Sequence, residues 1–270
     1  APKFSDYLNT HLDDEFKFSK NKITALSAAD KSKAVLIVQD PFTSFYESQL
    51  LLDTVIALKG LGFKPFVLPF KENGKPAHVK GFLTKFNKIA SKANNFYNQI
   101  ATYDIPMVGM DASLVFAYRD EYVESLGADK VNYKVSLLSE WLWQQDFDLS
   151  SETLSQNSNN ETPQFNLMTH CTEKSVLPNI NTQWQTIFTK LNMTINPINT
   201  GCCGMAGTFG HEAKNQQASS DIYQLSWKPA FEQVDQRPVL VTGFSCRSQV
   251  KRYENKLLKH PIQIVADLFR

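Results

Sequence analysis

VLIVQDPFTS, residues 35–44, and NLMTHCTEKS, residues 166–175, read as one unit written twice. In each, a strand-like stretch gives way to a polar turn, and Asp40 falls on Cys171. The correspondence extends outward. From Asp40 to Phe70 is 30 positions and from Cys171 to Cys202 is 31, so LPFKENGK (68–75) lies against NTGCCGMAG (199–207), with Phe70-Lys71 near Cys202-Cys203. From Lys71 to Asp111 is 40 positions and from Cys203 to Cys246 is 43, so VGMDASLVFAYRDEY (108–122) lies against TGFSCRSQVKRYE (242–254). An internal repeat of this length predicts two pseudo-symmetric lobes.

The elements around these anchors alternate. AVLIVQD (34–40), KPFVLPF (64–70) and IPMVGMD (105–111) are strand-like. SQLLLDTVIALKGLGF (48–63) has helical periodicity and stops at Gly60 and Gly62; a helical stretch to about residue 101 and SLVFAYRDEYVESLG (113–127) follow. The second half begins again with QFNLMTHC (164–171) as a strand. A helix with Ile180, Trp184, Ile187, Phe188 and Leu191 on one face comes next, then MTINPINT (193–200) as an extended segment, RPVLVTGFSC (237–246) as a strand, and a helix from Arg247. Strands alternating with helices predict an α/β fold of two pseudo-repeated lobes, each a small parallel sheet flanked by helices. Residues 1–30 read as a polar helical lead-in, 31–148 as a repeat without cysteines and 164–270 as the repeat that holds them all. The Ser-, Asn- and Thr-rich segment 149–163 reads as a linker or long surface loop.

Bulk properties narrow the function. At 270 residues the chain can bury one large core or two modest ones. A net charge of +1 gives no global field for nucleic acid, which is not an expected partner. No apolar run reaches the roughly 18–20 residues that span a bilayer. The start, APKFSDYLNT, has no signal-peptide layout and no initiator Met, so a piece of a longer polypeptide is expected. Four cysteines make no disulfide framework and suit a reducing, cytoplasmic setting.

All four cysteines lie just after a strand or at a strand-to-helix loop, in one half of the chain. In open parallel sheets the carboxyl ends of the strands form the ligand edge, so Cys171, Cys202, Cys203 and Cys246 are expected to converge there. Soft thiolates brought together suit an iron–sulfur cluster or zinc. Adjacent Cys202 and Cys203 can hardly bridge each other without distorting the peptide between them. Gly201, Gly204 and Gly207 let that loop bend and let backbone amides approach sulfur. His170 and His211 flank the group as ligands or hydrogen-bond donors. The plainer reading of Cys171 or Cys246 alone is a small buried apolar residue, and of His211 a support for its helix. His78, Lys71, Lys75 and Lys80 read as a solvated loop, although a basic loop could receive a carboxylate.

HC, then GCCGMAGTFG about 30 residues on, then GFSC resembles the cysteine-rich CCG domain of the heterodisulfide reductases and of the iron–sulfur components of glycolate and lactate oxidases. That domain usually occurs twice in tandem, in keeping with the repeat. QDPFTSFYESQ, FKENGKPAHVKGF and SEWLWQQ, beside THCTEKS and CCGMAGTFGHE, resemble the C-terminal region of large bacterial FAD-linked oxidoreductases of the D-2-hydroxyglutarate or D-lactate dehydrogenase type, over roughly residues 30–270. The resemblance implies an electron-transfer module with a 4Fe–4S cluster on the four cysteines. Its partners would be flavin and ferredoxin-like domains of the same polypeptide, with FAD outside this segment and electrons passing to a quinone or soluble acceptor. A cytoplasmic protein, peripheral to the inner membrane or forming a homo-oligomer, is compatible with it.

One departure is informative. The family motif ends in Cys-x-x-Cys, whereas here Cys246 is followed by Arg247, Ser248 and Gln249, so four thiolates remain where some members use five. Two rival readings stand beside the cluster. One is metal-free thiol exchange, with Cys202 or Cys203 activated by His211 or a helix N-terminus. The other is a non-catalytic docking scaffold of the same enzyme.

Overall fold

The computed structural model describes residues 11–147 and 162–270. The chain divides into two compact units, with the boundary between Trp141 and Leu142. Most of the loop expected over 149–163, through residue 161, lies outside the described residues, as do the first ten residues of the lead-in.

In the first unit, β1 (Ala34–Ile37), β2 (Lys64–Val67), β3 (Met107–Gly109) and β4 (Val135–Leu137) form one parallel sheet in the order β2-β1-β3-β4. Central β1 is apolar on both faces, as a strand covered on both sides must be. Val35, Leu36 and Ile37 are fully buried, each worth roughly 1.5–3 kcal/mol of transfer free energy. Helices α1 (Pro41–Phe45) and α2 (Ser48–Gly60) connect β1 to β2, with Leu51 and Leu58 of α2 buried. A short helix (Lys75–Val79) and α3 (Leu83–Ala101) lead to β3, and α4 (Ala112–Arg119) follows it.

In the second unit, β5 (Gln164–Met168), β6 (Thr194–Pro197) and β7 (Val239–Val241) form a parallel sheet in the order β6-β5-β7. This is the order β2-β1-β3 of the first unit, so the repeat read from the anchors is a repeat of topology. Helices α5 (Cys171–Val176) and α6 (Ile180–Lys190) join β5 to β6. Trp184, Ile187 and Phe188 of α6 are buried, as is Leu191 just beyond it. Helix α7 (Gln216–Gln233) precedes β7, and α8 (Phe244–Glu254) and α9 (Pro261–Asp267) close the unit.

Three features depart from the sequence reading. Strand β4 has no counterpart in it: it is three residues long, and Arg119 fixes it by donating Nε and Nη2 to the Val135 carbonyl at 2.9 and 2.8 Å. The helix expected over 113–127 is broken at Asp120. Helix α7 is hidden in the sequence because Pro229 interrupts it, although Tyr223, Trp227 and Phe231 recur at helical spacing and are buried. Among the described residues, no helix is long and apolar enough to cross a membrane.

Candidate thiol centre

The three strand ends of the second unit bring all four cysteines to one edge. Cys171 follows central β5 and opens α5; Cys202 and Cys203 lie on the loop after β6. Cys246 lies in the first turn of α8, because the helix starts at Phe244 rather than Arg247. All four are free thiols. Cys203 and Cys246 are buried in an apolar cluster with Met168, Met205, Tyr223, Trp227 and Val250, whereas Cys171 and Cys202 are half-buried.

The thiols touch in a chain: Cys171 with Cys202, Cys202 with its neighbour Cys203, and Cys203 with Cys246. Cys202 is the anionic member. Hydrogen bonds from Cys171 and Cys203 and the Gly204 N–H at 3.3 Å hold its thiol well below the ordinary range. Cys171 and Cys203 are pushed up because each donates its proton toward Cys202, with burial adding to the effect.

His170 caps α5 by position, and its backbone N–H donates to Thr242 Oγ1 at 2.9 Å. Its ring packs on Gly243, where an added Cβ would lie 2.5 Å from ring carbon Cδ2. Burial lowers its pKa to about 4, so the ring is neutral at pH 7, and its Nδ1 is buried without a partner. The Lys174 ammonium donates to the Thr200 carbonyl, and its pKa is lowered by burial against the pull of Cys171 and Cys246.

The glycines divide by role. Gly204 has φ +84°, sends its N–H to sulfur and leaves no room for a Cβ, which would lie 2.2 Å from the Ser219 carbonyl oxygen. Gly201 is held by α7: its N–H donates to Ser226 Oγ, and its carbonyl accepts from Trp227 Nε1 at 3.1 Å. Gly207 has φ +65° with open space around it and serves a turn. His211, in a 3-10 turn, meets Arg252 Nη2 through Nδ1 at 3.2 Å.

The loop is braced by Gln249 and by residues of α7 that the sequence does not single out. Gln249, standing where the family motif has a last cysteine, donates Nε2 to the Cys203 carbonyl and to Ser219 Oγ, both at 2.9 Å. Ser219 Oγ in turn donates to the Gly204 carbonyl at 2.7 Å. Ser219, Ser226 and Trp227 all come from α7, so finding them requires finding that helix.

The donors are soft in type: four thiols at one edge, an orphaned imidazole nitrogen nearby, and a glycine where backbone meets sulfur. Their spacing is that of a hydrogen-bonded chain. Among the described residues, no three His, Cys, Asp or Glu side chains stand in a metal-holding arrangement.

Fold and edge together define a repeated α/β module with a cluster of thiols at one sheet edge. No family model matches the chain. It is 43% identical over 254 residues to the D-2-hydroxyglutarate dehydrogenase of Haemophilus influenzae, covering 93% of the chain and 25% of that protein. To the D-2-hydroxyglutarate dehydrogenase of Escherichia coli K12 it is 43% identical over 249 residues, covering 92% and 24%. It is 25% identical over 233 residues to one of the subunits of the anaerobic glycerol-3-phosphate dehydrogenase of Escherichia coli K12, covering 83% and 56%. The chain thus spans about a quarter of the length of the D-2-hydroxyglutarate dehydrogenases it matches, and it is homologous to part of these oxidoreductases.

Proposed function

We propose that the chain is the electron-relay module at the C-terminal end of a larger FAD-dependent D-2-hydroxyacid dehydrogenase. The observation that carries this reading is the convergence of Cys171, Cys202, Cys203 and Cys246 on the ligand edge of one parallel sheet. Homology to part of D-2-hydroxyglutarate dehydrogenases supports it. The flavin that takes the substrate's electrons belongs to another part of the longer polypeptide, together with the atoms that bind the hydroxyacid. The division into a cysteine-free repeat (31–148) and a CCG repeat (164–270) belongs to the same proposal, as does a reducing cytoplasmic setting.

Cys171, Cys202, Cys203 and Cys246 would hold a 4Fe–4S cluster, which when bound would supply one-electron transfer. The protein's own contribution is local. Cys202 offers a thiolate before any metal arrives. The Gly204 amide donates to its sulfur, an interaction of the kind that raises a cluster's potential. Gln249, Ser219 and Ser226 hold the loop so that Cys202 and Cys203 stay at the edge. Met168, Trp227 and Val250 keep water from Cys203 and Cys246.

The test uses the full-length enzyme carrying Cys202→Ser and Cys203→Ser. Under the proposal, substrate still reduces the flavin in a single turnover, while steady-state transfer to the electron acceptor is lost. Unchanged steady-state turnover would instead support a docking scaffold. The anionic Cys202 favours a second reading, metal-free thiol exchange, in which its sulfur attacks a disulfide and releases the partner thiolate. That reading requires a mixed disulfide at Cys202, detectable by mass spectrometry after mixing with an oxidised dithiol.

A further inference from the structure

The cysteine-free unit also has a recess at the carboxyl edge of its sheet. Phe70, Lys71 and Glu72, on the loop that leaves β2, face Lys88, Ile89 and Lys92 of α3 across a cavity of about 290 Å³. By the repeat, Lys71 stands near the position of Cys203. The edge that gathers thiols in one unit therefore gathers ammonium groups in the other.

Three ammonium groups and one carboxylate line this recess. Lys88 and Lys92 are both exposed and lie four residues apart on one helix face, where like charges repel. Lys71 Nζ lies over the Phe96 ring, 4.6 Å from its centroid, which holds it at the wall. Glu72 is the one acid in the lining against three lysines; residues 73–103 contain five lysines and no Asp or Glu, and Glu121 is taken by Lys75. An anion in the recess relieves that repulsion. Phe70, Ile89 and Ala93 add an apolar wall that a bare oxyanion leaves unused and a short carbon chain would cover. The volume lies at the small end of ligand sites, about 300 Å³.

We propose that this recess binds a small dicarboxylate, its carboxylates on Lys71, Lys88 and Lys92 and its carbon chain against Phe70 and Ile89. The proposal is independent of iron and of the thiols. It is tested by titrating the 270-residue chain with glutarate at low ionic strength in a calorimeter, beside Lys88→Gln, Lys92→Gln and Phe70→Ala variants. Both lysines are exposed, so these two variants are expected to fold, with circular dichroism as the check.

The expected result is saturable one-to-one binding that weakens as salt screens the lysines. Each Lys→Gln change should weaken it roughly tenfold, a loss of about 1.4 kcal/mol. Phe70→Ala should weaken glutarate while leaving inorganic phosphate unchanged. No saturable heat with glutarate, unchanged affinity in both lysine variants, or inorganic phosphate binding as tightly as glutarate would each overturn the proposal.

Discussion

Gln249 donates its side-chain amide to the backbone carbonyl of Cys203 at 2.9 Å, and the same nitrogen reaches Ser219 Oγ. A residue that stands in the motif position of a thiolate thus acts as a strut for the thiol loop. Replacing it with Met keeps the volume and removes the donor, stranding a buried carbonyl. Gln249→Met should therefore cost about 2–3 kcal/mol in chemical denaturation. Equal stability would mean that the loop holds itself.

Gly204 is the second fixed point. Its φ of +84° and the 2.2 Å approach of a would-be Cβ to the Ser219 carbonyl forbid a side chain. Gly204→Ala is expected to destabilise the unit by about 1–3 kcal/mol or more, since backbone rather than a flexible side chain must move. Gly207→Ala, strained in φ but with open space around it, should cost less. Thermal melts of the two variants side by side check the order.

The thiols should differ in reactivity. In the metal-free, reduced chain, Cys202 is half-buried and anionic, whereas Cys203 and Cys246 are 1% and 0% exposed. Iodoacetamide near neutral pH is expected to label Cys202 first, with Cys203 and Cys246 reacting only on unfolding. Peptide mapping over a time course reads this directly. Labelling of Cys246 ahead of Cys202 would contradict the burial.

In the cysteine-free unit, Asp40 holds the register position of Cys171. It caps α1, accepting from the Phe42 and Thr43 amides at 2.8 and 2.9 Å and from Thr43 Oγ1 at 2.6 Å. Burial, and then the nearby Asp111, raises its pKa to about 7. An acid whose folded pKa exceeds its unfolded one stabilises the fold fully below the unfolded value, and this contribution is lost as pH rises through the folded value. The denaturation midpoint of the unsubstituted chain should therefore fall between about pH 4 and about pH 7. Asp40→Asn, a neutral capping residue, should flatten that fall. A midpoint that rises over this range in the unsubstituted chain would contradict the assignment.

Much of the architecture is legible because the anchors are physical. β1 is a continuous apolar run that reads as a buried strand, whereas β5 mixes Gln164 and Asn166 with Phe165, Leu167 and Met168 and is legible through its match to β1; each is followed by a polar turn. Repetition of Asp40 against Cys171 implies one strand order for both units, and β2-β1-β3 and β6-β5-β7 bear this out. β4 is not legible, since a three-residue strand fixed by Arg119 has no local pattern. Helix α7 is obscured because Pro229 argues against it, while burial of Tyr223 and Trp227 outweighs the lost hydrogen bond. The residues that brace the loop are obscured with it. Cys-Cys among glycines is visible as chemistry, but the strut role of Gln249 depends on a contact 46 positions away that no local pattern encodes.

The most direct test of the relay account is the iron and acid-labile sulfide content of the chain after anaerobic reconstitution, with its visible spectrum. The account predicts about four of each per chain and a broad absorption at about 400 nm, lost in Cys202→Ser. A reconstituted chain without iron, with all four thiols titrating freely, would contradict it.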